Sequence, residues 1–75
     1  MDKVNYRKEL ITENDEKVRV ATYDNDENIY IRLIDTDADC AIVELTLKEA
    51  QRLKRYLEDG ITTNIINWNI MNWEE

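Results

Sequence analysis

The chain has 75 residues, of which 43% are apolar and 36% charged, and its formal net charge is −7. That length makes one small domain near the size where a single core leaves little net stability and self-association helps. With no histidine there is no imidazole base, one cysteine excludes an intrachain disulfide, and the excess of acid is opposite in sign to a generic nucleic-acid binder.

Four segments with a period of two come first, each bounded by Asp- and Asn-rich turns. The alternation predicts strands at about 4–12, 17–23, 29–34 and 40–45, joined by the short stretches Glu13 to Glu16, Asp24 to Asn28 and Asp35 to Asp39. A helix is predicted over about 46–59. Thr46 and Glu49 have capping-box spacing, Leu47, Ala50, Leu53 and Leu57 form an apolar stripe, and Gly60, the only glycine, sits where a helix ends in the left-handed conformation.

The C-terminal residues repeat a pentapeptide, Asn64-Ile65-Ile66-Asn67-Trp68 followed by Asn69-Ile70-Met71-Asn72-Trp73. A period of five advances about 500° around a helix and scatters the repeat over every face. Asparagine is also a weak helix former. The expectation is a tail strand at about 65–71, with Ile66, Trp68 and Ile70 on one face and Ile65, Met71 and Trp73 on the other. The fold class expected is therefore α+β, an antiparallel four-stranded meander with one helix on one face and a C-terminal tail strand, in a single domain spanning 1–75.

The charge is concentrated. Residues 24–45 carry Asp24, Asp26, Glu27, Asp35, Asp37, Asp39 and Glu44 against Arg32 alone. In a meander the first and third loops share one end of the sheet, and a helix ending near residue 59 would return to it. That end is expected to gather Glu13, Asp15, Glu16, Asp35, Asp37, Asp39, Glu58 and Asp59 as a partner-binding surface, with Trp68 and Trp73 as an aromatic anchor. The helix-free face of the sheet would present Arg7, Lys17, Arg19, Tyr23, Tyr30 and Arg32, a set suited to single-stranded nucleic acid. Cross-strand pairs of Arg32 with Glu44 and Arg19 with Glu9 would make the same residues an ordinary solvated face.

The run Asp35-Thr36-Asp37-Ala38-Asp39 copies the opening of a calcium loop. Position six is Cys40 where glycine is needed and position twelve is Thr46 where a glutamate is needed, so no metal site and no cofactor are expected. The clustered carboxylates lie in loops with little to raise their pKa values, and Cys40 has no activating neighbour in sequence. No catalysis is expected.

The strand-to-helix layout over residues 17–60, with IVELTLKEAQRLKRYL at its junction, resembles a family of single-stranded-DNA-binding transcriptional coactivators, and the resemblance implies nucleic-acid binding by the sheet. Members of that family are basic, whereas this chain is acidic. The expected function is thus a non-catalytic, acidic protein-binding module, an inhibitor that presents carboxylates to the basic groove of a nucleic-acid enzyme. Small viral anti-defence proteins share this size and charge. Two alternatives stay open, a single-stranded nucleic-acid-binding homodimer and a purely structural homodimer. No apolar run approaches the roughly 20 residues that cross a bilayer, and the N-terminus lacks the form of a secretory signal, so the expected setting is the cytoplasm.

Overall fold

The computed structural model describes residues 3–72, which form four strands and one helix in the order β1 (Val4–Ile11), β2 (Lys17–Tyr23), β3 (Ile29–Ile34), β4 (Cys40–Leu45) and α1 (Leu47–Asn72). The strands make one antiparallel sheet in sequence order, the α+β meander expected. Register then fixes sidedness. Lys8, Val20, Ile31 and Val43 lie in one cross-strand row, and Leu10, Val18, Leu33 and Ala41 in the next. Successive side chains alternate faces, so these rows define an apolar face. The intervening rows are Glu9, Arg19, Arg32, Ile42 and Arg7, Ala21, Tyr30, Glu44. They define a face rich in charge and tyrosine.

The two hairpin loops at one end of the sheet are built alike. In the first, Thr12 N donates to Glu16 O at 2.8 Å and Asp15 N to Thr12 O at 3.0 Å, while Thr12 Oγ1 accepts from the N–H groups of Asn14 and Glu16 at 3.3 and 3.1 Å. In the second, Asp35 N donates to Asp39 O at 3.0 Å and Ala38 N to Asp35 O at 3.1 Å, while Asp35 Oδ1 accepts from the N–H groups of Asp37 and Asp39 at 2.9 and 3.0 Å. The fourth position of each loop is left-handed, Asp15 at φ 64° and Ala38 at φ 68°. A side-chain acceptor at position one and a positive φ at position four close a tight loop between twisted strands. The calcium-like aspartate spacing has this conformational explanation.

The helix starts at the capping box. Thr46 N donates to Glu49 Oε1 at 2.9 Å and Glu49 N to Thr46 Oγ1 at 3.2 Å. It does not stop at Gly60. Helix runs on to Asn72 in place of the expected end at 59 and the expected tail strand at 65–71, and Gly60 has no positive φ. The physical reason lies in a longer pattern than the pentapeptide. Leu53, Leu57, Ile61, Ile65 and Trp68 follow one another at spacings of four, four, four and three, a single stripe that carries across Gly60. Trp73 lies outside the described residues.

The first half of α1 lies over the apolar face. One groove between them is lined by Ile31, Leu33, Val43 and Leu45 with Leu53 and Tyr56, and a second by Val20, Ile29, Ile31 and Leu45 with Ala50, Leu53 and Leu57. The cover is thin. Among the described residues Ala21 alone is a buried hydrophobic side chain. The radius of gyration is 15.9 Å, against about 11 Å for a compact chain of this length. A helix of 26 residues is about 39 Å long and the sheet beneath it about 14 Å wide between outer strands, so the second half overhangs.

Candidate nucleic-acid interface

The charged face of the sheet carries a hollow of about 350 Å³ lined by Arg7, Arg19, Ala21, Tyr23, Tyr30, Arg32 and Ile42. Among the described residues no helix residue lines it. Its floor is Ala21, which is 4% exposed and stands between Arg7 and Tyr30 in the cross-strand row. A methyl group flanked by two long side chains is what leaves the hollow open. Five of the six residues expected on this face line it, and Lys17 sits one row further toward the loops.

The cations are arranged in an unexpected way. Arg19 and Arg32 are direct cross-strand partners on β2 and β3. Like charges in that position repel. Arg19 is balanced by Glu9, with Arg19 Nη2 at 3.0 Å from Glu9 Oε2, whereas Arg32, Arg7 and Lys17 have no carboxylate within 4 Å among the described residues. The expected pair of Arg32 with Glu44 is not formed, because register places Ile42 opposite Arg32 and Tyr30 opposite Glu44. Glu44 is instead bonded by the side-chain amide of Asn28.

Tyr30 is held at its polar end. Tyr30 Oη donates to Asp26 Oδ2 at 2.7 Å, and Asp26 Oδ1 accepts from Asn28 N at 2.9 Å. The bond from Tyr30 first, and that from Asn28 second, hold the Asp26 carboxyl below its ordinary value, and the same bond to Asp26 pushes the Tyr30 phenol well above its own. Tyr23 packs edge-to-face on Tyr30 with ring centroids 5.3 Å apart and planes at 77°, a favourable quadrupole arrangement. Asp26 was no part of the expected site. Its spacing of four before Tyr30, across a turn, is the signal that points to it.

The acidic end is only partly assembled. Glu13, Asp15, Glu16, Asp35, Asp37 and Asp39 are exposed in the two loops at one end of the sheet, and Glu16, Asp35 and Asp39 border the same hollow there. Glu58 is not with them. It lines the groove beside Val20, Ile29 and Leu57, toward the other end of β3, and Asp59 follows it mid-helix, because α1 crosses the strands instead of running back along them. Asp35 spends a carboxylate oxygen on its own loop. Among the described residues no three acidic or thiol side chains converge as a metal's ligands would. No described helix is long and apolar enough to cross a membrane.

Compared with known proteins, the chain matches no family model, no curated protein and no solved structure.

Proposed function

We propose that the chain binds single-stranded nucleic acid on the charged face of its sheet. The observation that carries this reading is the direct opposition of Arg19 and Arg32, two guanidinium groups of which only Arg19 has a carboxylate partner among the described residues, beside the edge-to-face pair of Tyr23 and the hydrogen-bonded Tyr30. A repulsive pair lowers stability and gains a counterpart when a phosphate enters between its members. Arg7 continues the cationic strip toward β1, and Tyr23 and Tyr30 supply rings on which bases stack. A duplex fits less well, since its bases are already stacked on one another. The acidic loops at the sheet end confine the favourable potential to the hollow, which favours a short strand and binding that weakens steeply with salt. Titration of a labelled oligonucleotide, with the parent and with Arg19→Ala and Arg32→Ala, tests the reading. It fails if the parent does not bind at low salt.

A second reading rests on the six loop carboxylates that share one end of the sheet. In that reading this end enters the basic groove of a nucleic-acid enzyme, and the charge accelerates encounter. Replacing Asp37 and Asp39 with Asn would slow association with such a partner and flatten its salt dependence. Unchanged kinetics in a captured partner would dispose of it. The sheet-face reading is preferred because Glu58 and Asp59 do not join the acidic end and Asp35 is committed to its loop.

A further inference from the structure

We infer that a second copy of this chain covers the apolar face, the overhanging half of each helix lying on the uncovered half of the partner's sheet. The exposed area is too large for a monomer of this mass. A folded monomer of 9.0 kDa exposes about 4,900 Å², whereas this chain exposes 6787 Å². The excess is roughly 1,900 Å² per copy, so a pair would hide roughly twice that, within the range of obligate homodimers.

Sheet and helix each leave apolar side chains exposed. On the sheet, the grooves under α1 involve β2, β3 and β4 and, among the described residues, none of β1, where Tyr6 and Leu10, on either side of Lys8 on the apolar face, are 50% and 62% exposed. On the helix, Ile61 and Ile65 continue the stripe that Leu53 and Leu57 begin over the sheet, and both are more than half exposed. Among the described residues one chain therefore offers an exposed strip along β1 and exposed helix positions at Ile61 and Ile65. A two-fold axis brings each to the other, the self-complementary arrangement that a symmetric dimer requires.

The thinness of the core selects the occupant. The one buried apolar residue described, Ala21, lies on the charged face, so the layer between helix and sheet holds no fully buried side chain among the described residues and is too small to hold a domain of this size together by itself. Whatever completes it must be present whenever the chain folds, and another copy of the same chain always is. The charged face of the sheet points away from this interface, so the pairing stands independently of what that face binds.

Sedimentation equilibrium and chemical unfolding of the full chain over a hundredfold range of concentration test the inference. The expected result is twice the monomer mass and an unfolding midpoint that climbs as concentration rises. Ile61→Asp with Ile65→Asp is expected to weaken the pair by about a hundredfold or more, while Ile66→Asp, on the opposite side of the helix, leaves it intact. A monomer that unfolds cooperatively at a midpoint independent of concentration would overturn the inference, and so would a dimer that persists unchanged in the double variant. Should the double variant fail to fold, the concentration dependence of the parent still decides.

Discussion

Arg19 on β2 and Arg32 on β3 stand directly opposite each other on one face of the sheet, and Glu9 balances only Arg19. Stability alone would place a carboxylate at one of these positions. Arg32→Glu supplies it, and the variant is expected to be more stable than the parent by about 0.5 kcal/mol, seen as a rise of a few degrees in the thermal midpoint. The same change is expected to abolish oligonucleotide binding. A variant that loses stability would remove the claim that the pair is repulsive.

Gly60 lies within the helix and a methyl group added there meets nothing within 4 Å. Gly60→Ala is therefore expected to stabilise the protein by about 1 kcal/mol and to raise its helical circular dichroism. Were Gly60 a left-handed helix cap, as its sequence position suggests, the same substitution would destabilise.

Ala38 holds a φ of 68°, which a side chain with a β-carbon adopts at a cost. Ala38→Gly is expected to stabilise by about 1 kcal/mol. Asp35→Ala removes the acceptor of two loop N–H bonds and is expected to cost about 1 kcal/mol. Urea unfolding of the two variants beside the parent checks both signs.

The sheet and the start of the helix were legible in the sequence because their signals are local. The period of two can be read inside each strand without reference to its neighbours, and Thr46 and Glu49 are three residues apart. The tail was not legible as helix for the opposite reason. The pentapeptide repeat, taken from Asn64 onward, has no helical period, and only in register with Leu53, Leu57 and Ile61 do Ile65 and Trp68 fall on one stripe. Gly60 adds to this, because its place after Leu57 is also that of a helix cap. The charged face was legible by parity, but the opposition of Arg19 and Arg32 depends on hairpin register, which the loop geometry sets and composition does not. The position of Glu58 depends on the direction in which α1 crosses the sheet, which no local residue pattern encodes.

The Asp26 to Tyr30 bond makes stability depend on pH at both ends. The folded-state pKa of Asp26 is depressed, so its contribution is present above the unfolded value of about 3.8 and is lost as pH falls through the folded value. The folded-state pKa of Tyr30 is raised, so its contribution is present below about 10 and is lost as pH rises beyond that. Tyr30→Phe is expected to flatten both limbs of the curve of thermal midpoint against pH. Limbs that keep their slope in the variant would assign the dependence to other groups.

The most direct measurement is the anisotropy of a labelled single-stranded oligonucleotide titrated with the protein at low and at moderate salt, for the parent, Arg32→Glu and Ala21→Leu. The account predicts saturable binding by the parent that weakens steeply with salt, loss of binding in Arg32→Glu through reversed charge, and loss in Ala21→Leu through a filled hollow. Absence of binding by the parent at low salt would contradict it, as would equal binding by all three proteins.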